Sequence, residues 1–245
     1  PVVLLRCRAE LRRVTARDLV LCGASGVLLA LHFLTWFESL KRTSVASSTV
    51  LVSTEVIFTA LGFALFLHGK IPRLGVWAIL LAFGGSALLA LSGGGGAGEL
   101  SGNLLALAAA SAAAVYTLIG RIQRGHLSTT VYTFLTYLAC FLTLLLGTAA
   151  AGTPLTGYGG REWLIGLALA VLCTLLGHSL FSWCLKYLSP SYVSAAKLCE
   201  PVFSSLAAIP LFGEVPGPLQ LAGGAAVLGA VLLYTWAERE KTPAG

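Results

Sequence analysis

Charge is what this sequence has least of. Asp, Glu, Lys and Arg together make up 11% of 245 residues, Asp occurs once at Asp18, and Met is absent. A water-soluble domain of this length cannot cover its surface with so few charged groups. Cysteine patterning is missing too. The six cysteines form no CxxC pair, which argues against zinc ribbons and dithiol redox chemistry, and they read as small apolar residues, five of them, Cys22, Cys140, Cys173, Cys184 and Cys199, within spans. The run "GGGGAG" at 93–98 lacks the Gly-Lys-Ser/Thr ending and the preceding strand of a phosphate-binding loop, and reads as a flexible outer loop. No soluble basic face is present, so the net charge of +6 points to no nucleic-acid partner. Neither a metal nor a cofactor is expected.

What is there is apolar length. Hydrophobic residues make up 57% of the chain and the mean hydropathy is +0.87. They come as eight runs, at 19–40, 44–67, 74–92, 100–120, 129–151, 163–185, 191–212 and 217–237. A helix rises 1.5 Å per residue, so runs of about 20 residues match a hydrocarbon core of about 30 Å. The expected fold is therefore all-α and integral to the membrane, because helices satisfy their own backbone hydrogen bonds in lipid.

Basic residues outside the runs set the orientation. Arg6, Arg8, Arg12, Arg13, Arg17, Lys70, Arg73, Arg121, Arg124, Lys186, Arg239 and Lys241 fall on one side, and Lys41, Arg42 and Arg161 on the other. The positive-inside rule then places the N-terminal segment, the "HGKIPR" loop and the C-terminus in the cytoplasm, in an inner or plasma membrane. Trp77, Trp163 and Trp236 read as interfacial anchors, and Glu38 as a charge that reaches the interface.

The sequence also repeats itself. "HFLTWFESLKRTSVAS" aligns with "SLFSWCLKYLSPSYVS", pairing Trp36 with Trp183, Ser44 with Ser191 and Ser47 with Ser194. Further on, Glu55 meets Glu200, Phe58 meets Phe203, Gly69 meets Gly213 and Pro72 meets Pro216. The first three runs thus match the last three. A displacement of five runs is odd, so matching helices cross in opposite directions, as in the inverted repeats of secondary transporters. The second repeat, 100–237, has five runs; the first, 1–92, has three after "PVVLLRCRAELRR". Ten helices are expected in the intact protein, with about eight in this chain and the first two of the N-terminal repeat largely missing.

These residues carry a family resemblance. "LHFLTWFESLKRTSVASSTVLVSTEVIF" and "KLCEPVFSSLAAIPLFGEVP" resemble the paired signatures of EamA-type transporters of the drug/metabolite transporter superfamily. Val56 stands where the first repeat often has Pro, and "HGK" replaces the usual Gly-Glu. The resemblance implies two inverted five-helix repeats, a central cavity, and movement of small organic solutes by alternating access, commonly outward.

Charges inside the spans supply the candidate site. Glu55, Lys197 and Glu200, if exposed to lipid at mid-span, would together cost on the order of 8–10 kcal/mol, so they must face protein or water. Lys197 and Glu200 share a helix face and can partly neutralise each other. Pro201 frees the carbonyl of Lys197 and favours a kink. The expected substrate-binding centre comprises Glu200, Lys197, His32 and His178, rimmed by Ser48, Thr59, Ser194 and Ser204, and Glu55 is the proton-coupling candidate. Its solute is a small polar or zwitterionic metabolite; the other partners are the lipid bilayer and, as a candidate, a second copy of the chain.

Other readings remain open. The ion pair can serve only to hold helices together, and either His can be a hydrogen-bonded core imidazole. Ser194-Ala-Ala-Lys197 spells the S-x-x-K of serine acyl-transfer enzymes, without the SDN and KTG companions. An intramembrane serine hydrolase using Ser194 and Lys197, and a non-transporting membrane scaffold, are thus the alternatives.

Overall fold

The computed structural model describes residues 7–66, 72–92, 97–188, 190, 193, 194, 197, 199–213 and 215–239. The "HGKIPR" loop through Ile71, the 93–96 glycines, Glu214, and Arg6 and Lys241 near the two ends lie outside the described residues. The helices are α1 (Arg8–Leu11), α2 (Ala16–Leu40), α3 (Val45–Val52), α4 (Glu55–Phe66), α5 (Arg73–Ser92), α6 (Ala97–Gln123), α7 (Thr129–Ala150), α8 (Gly160–Ala168), α9 (Ser179–Cys184), α10 (Cys199–Phe212) and α11 (Pro218–Arg239), with a π-helical segment, Leu169–His178, joining α8 to α9. The protein is all-α among the described residues. Among the described residues, six stretches are long and apolar enough to cross a membrane: Ala16–Leu40, Val45–Phe66, Glu99–Gln123, Thr129–Ala150, Gly160–Cys184 and Pro218–Ala237. The two remaining runs form α5 and, in part, α10.

The chain divides into two compact units, and each draws on both ends of the sequence. The first comprises residues 1–30 and 119–189. There α2 starts with a reciprocal cap: the Thr15 hydroxyl accepts the Asp18 N–H at 3.2 Å, and Asp18 Oδ2 accepts the Thr15 N–H at 3.0 Å. This satisfies two amide donors at a helix start. Asp18 Oδ1 also accepts from Gln123 Nε2 at 3.1 Å and lies 2.8 Å from His126 Nε2. The only Asp of the chain is thus absorbed structurally. Cys22, Val131 and Tyr132 form the core of this unit with Leu127, and α2 reaches α7 closely because Gly26 has no Cβ: one there would fall 2.4 Å from the Thr136 carbonyl.

The last turn of α9 has its carbonyls covered by guanidinium groups. Arg121 Nη1 donates to the Leu185 carbonyl at 2.6 Å and Arg124 Nε to that of Ser182 at 3.0 Å. Cations suit a helix C-terminus. Burial pushes the Arg124 guanidinium below its ordinary range.

The second unit comprises residues 31–118 and 190–245. Its core joins α4, α5 and α11 through Val56, Ile57, Ala60, Ala78, Ile79, Ala82, Ala230, Val231 and Tyr234. α5 meets α11 at Gly85, where a Cβ would stand 2.9 Å from the Gly223 carbonyl and from Val227. A smaller cluster of Val50, Leu51, Ala106 and Val227 ties α3 to α6 and α11. Trp77, Trp163 and Trp236 are well exposed, as lipid-facing anchors are. Glu38 pairs with Lys41 at 2.8 Å and Arg42 at 2.7 Å.

Candidate functional site

The second apolar run is not one helix. It breaks at Ser53–Thr54, between α3 and α4. Hydroxyls of this stretch compete for the carbonyls that an unbroken helix would give to N–H donors: Ser53 Oγ donates to the Thr49 carbonyl at 2.9 Å and Thr54 Oγ1 to that of Leu51 at 2.6 Å. Such back-bonding bends helices. The amides tighten to match, with Thr54 N–H on the Leu51 carbonyl at 3.1 Å and Ile57 N–H on that of Thr54 at 2.9 Å. Glu55 is therefore the first residue of α4, where the helix dipole favours a carboxylate.

The matching run of the second half is interrupted at the same place. Val193 and Ser194 are helical, Lys197 lies in a turn, and helix resumes at Cys199, immediately before Glu200. The Lys197 carbonyl accepts the Glu200 N–H at 2.9 Å. Pro201 accordingly sits in the first turn of α10, where its missing N–H belongs to an amide that a helix start leaves unpaired in any case.

The two breaks meet at one carboxylate. Glu55 Oε1 accepts the Thr117 hydroxyl at 2.9 Å, the Ser194 hydroxyl at 3.0 Å and Lys197 Nζ at 2.9 Å; Oε2 accepts Lys197 Nζ at 2.9 Å. The Glu55 side chain is 6% exposed and that of Lys197 17%. Three donors make these four contacts, three on Oε1 and one on Oε2. Burial of an acid at this depth is tolerable because its charge is paired and both oxygens accept hydrogen bonds.

His32 belongs to the same unit and is buried, with Nδ1 3.0 Å from the Ala109 carbonyl. A carbonyl can only accept, so Nδ1 carries a proton. One turn on, Trp36 lies 5.7 Å from the His32 ring, ring centre to ring centre, and its buried Nε1 has no protein acceptor among the described residues. Thr59, one turn beyond Glu55 on α4, is buried and its hydroxyl is likewise unmatched.

Of the residues expected at the site, the structure brings together Glu55, Lys197 and Ser194. Ser48 is buried but bonds to Ser39 at 2.9 Å. Glu200 stands in the first turn of α10 with an accessible side chain. His178 ends the π-helical segment of the other unit, half-buried, and the Ser204 side chain lies outside what the structure describes. Sequence reasoning let Lys197 and Glu200 partly neutralise each other on one helix face and found no basic neighbour for Glu55 on its own face; the structure puts the Lys197 ammonium on the Glu55 carboxylate, and Glu200 also interacts electrostatically with Lys197. Thr117 escaped the sequence reading, since a Thr within a long Ala-rich run carries no signal of its own.

The S-x-x-K spelling acquires a different meaning in this geometry. Ser194 donates its hydroxyl proton to Glu55, and Lys197 places its ammonium on the same carboxylate. Both residues of the motif act as donors to one acid.

Comparison with known proteins places these features in a family. The model of the EamA-like transporter family matches residues 1–91 and 100–236. The chain is 24% identical over 207 residues to the pseudopaline exporter CntI of Pseudomonas aeruginosa (strain UCBPP-PA14), covering 84% of this chain and 72% of that protein. It is 28% identical over 233 residues to a Streptantibioticus cattleyicolor protein named "Probable terminal-alkyne amino-acid exporter", covering 91% and 75%. The threonine/homoserine exporter RhtA of Escherichia coli (strain K12) is 26% identical over 167 residues, covering 68% and 56%. A solved crystal structure superposes with a TM-score of 0.62 at 22% identity, covering 96% of this chain and 84% of that one, a likeness of fold. With the family model matching most of the chain and six apolar helices of membrane-crossing length among the described residues, this multi-pass membrane protein belongs to the EamA-like transporter family.

Proposed function

We propose that the protein exports a small, polar, amino-acid-like metabolite by alternating access, with the Glu55 centre as its binding and coupling site. The observation that carries this is a carboxylate–ammonium pair between Glu55 and Lys197, placed where two apolar runs interrupt their helices. Broken helices at membrane depth are tolerated where they serve a cavity or a binding site. Relatives named as exporters of threonine and homoserine, of an alkyne amino acid and of pseudopaline support the direction and the solute class.

In this reading residues 1–92 and 100–237 are two inverted repeats in an inner or plasma membrane, with the C-terminus cytoplasmic and a homodimer as its further assembly. Glu55 is the proton-coupling group. A proton on its carboxyl breaks the ion pair with Lys197, and loss of that proton restores an acceptor for the next solute. Glu200, His32, Ser48, Thr59, Ser194 and Ser204 are proposed to complete the solute's surroundings.

The test is counterflow of radiolabelled threonine and homoserine in proteoliposomes of the wild type and of Glu55→Gln. Uptake by the wild type that the substitution abolishes supports the reading. Absence of uptake, or uptake unaffected by Glu55→Gln, overturns it and favours a membrane scaffold.

A further inference from the structure

Resting on that reading, we infer that α3 is the carrier's gate: it swings about the break at Ser53–Thr54, and hydrogen bonds at its other end latch it over the route to Glu55.

The two ends of α3 are held differently. At its start the contacts are polar. Thr43, in the turn before it, donates its hydroxyl to Asn103 Oδ1 of α6 at 2.9 Å. Gln220 Nε2 of α11 donates to Oγ of Ser44, the N-cap, and to Ser47 Oγ at 2.6 Å. Toward its end α3 is held by apolar packing, with Val50 and Leu51 in one cluster with Ala106 and Val227. Hydrogen bonds between neutral side chains exchange for bonds to water at small net cost, whereas close-packed apolar contacts have nothing to replace them. The start is therefore the end that lets go. α3 also packs along α10, so the two helices shear past each other as the gate moves.

The hinge is built into the same helix. Ser53 and Thr54 return their hydroxyls to carbonyls of α3, which weakens the helix at that point, and a few residues at an element's end suffice to absorb a swing. Glu55 follows immediately, so α3 pivots beside the carboxylate.

α6 supplies the wall beneath the gate. Asn103, Ala106, Ala110, Ala113 and Thr117 recur at spacings of three and four, which is one face of a helix, and all are buried. This face carries the latch acceptor at one end and a donor to Glu55 at the other, about 21 Å apart at 1.5 Å per residue. Between them it presents only methyl groups. Side chains so short leave a passage once α3 lifts away.

The latch is tightly seated but short of partners. Gly102 has no Cβ, and one there would stand 3.0 Å from Arg42 and Thr43, so the turn before α3 closes fully onto α6. Asn103 is buried, yet its Nδ2 has no acceptor among the described residues. A buried unmatched donor disfavours the state that buries it. Opening gives that N–H to water or to an acceptor group of the solute, which keeps the closed state from being permanent. In the proposed orientation this end, with Lys41 and Arg42, faces away from the cytoplasm, and α3 is the exit gate.

The experiment uses the full chain in proteoliposomes, with two cysteine pairs closed by a short bis-methanethiosulfonate reagent: Thr43→Cys with Asn103→Cys and, separately, Ser47→Cys with Gln220→Cys. Mass spectrometry verifies each bridge, and single-cysteine variants control for the native thiols. Bridging either pair should abolish radiolabelled threonine counterflow, and dithiothreitol should restore it. In the opposite direction, Gln220→Ala unlatches α3 and should speed the labelling of Ala110→Cys by a membrane-impermeant thiol reagent. It should not speed that of Ala78→Cys, which is buried on α5 in the core with α4 and α11; neither α5 nor α6 has a native cysteine. Counterflow that persists across a verified bridge, or labelling that Gln220→Ala leaves unchanged or speeds equally at both positions, overturns the gate while leaving export intact. If the wild type shows no counterflow of threonine or homoserine, the functional reading falls and the gate falls with it.

Discussion

Lys197 holds both oxygens of Glu55 at 2.9 Å across 142 positions of sequence. Neither residue's local sequence names the other as partner, and the contact exists only because two interrupted runs of one unit converge.

The first prediction concerns the energetic coupling of that pair. Lys197→Ala alone leaves a buried carboxylate without its cation and should destabilise the protein by about 3–5 kcal/mol. The double change with Glu55→Gln should cost clearly less than the sum of the single changes. Unfolding in detergent, followed for all four members of the cycle, measures the difference. Additive effects would mean that the pair contributes nothing as a pair.

The second concerns the hydroxyls. Thr117→Val keeps the side-chain volume and removes one donor to a charged acceptor, which should lower stability by about 1.5–3 kcal/mol. Thr133→Val removes a hydroxyl that returns to its own helix, at the Thr129 carbonyl, and should cost well under half as much. Similar losses for both would show that the Glu55 carboxylate does not need Thr117.

The third concerns the driving force. Vesicles containing Glu55→Gln should fail to accumulate solute when a proton gradient is the only energy source, whereas wild-type vesicles accumulate it. Accumulation by the variant would mean that proton coupling runs through a group other than Glu55.

The fourth separates two adjacent glycines. Gly85→Ala places a methyl group 2.9 Å from a carbonyl of the neighbouring helix, and Gly84→Ala meets nothing within 4 Å. The former should destabilise by about 1–3 kcal/mol through overpacking, while the latter should be neutral or gain up to about 1 kcal/mol from helix propensity. Thermal unfolding of the two variants side by side decides it.

The fifth concerns direction across the membrane. If 1–92 and 100–237 are inverted repeats, cysteines introduced just after α4 and just after α10 should be labelled from opposite sides of intact cells, and a reporter fused after Trp236 should be cytoplasmic. Labelling from the same side would remove the inverted-repeat proposal.

Much of the fold was legible in the sequence, because a bilayer leaves few choices. Scarce charge and runs of about 20 apolar residues require helices that satisfy their own backbone bonds. The repeat and the signature stretches pointed to the family that the comparisons show. Small residues were harder to read. Gly84, Gly85, Gly224 and Gly229 look alike in sequence, yet only Gly85 is in forced close approach, with Gly224 in ordinary contact at 3.8 Å and the other two facing open space. Which face of a helix meets a neighbour is not encoded where the whole circumference is apolar.

The sequence by itself determined that the chain lives in lipid, that it is helical, and that Glu55, Lys197 and Glu200 need protection from hydrocarbon, since transfer free energies depend on residue type and run length. Only the tertiary structure decided how that protection is given. A side chain chooses its counter-ion by distance, and distance across 142 positions is set by where the backbone breaks and which helices pack. The breaks at Ser53–Thr54 and around Lys197 bring Glu55, Thr117, Ser194 and Lys197 to one point, which neither the helical period nor the spacing of charges along the chain specifies.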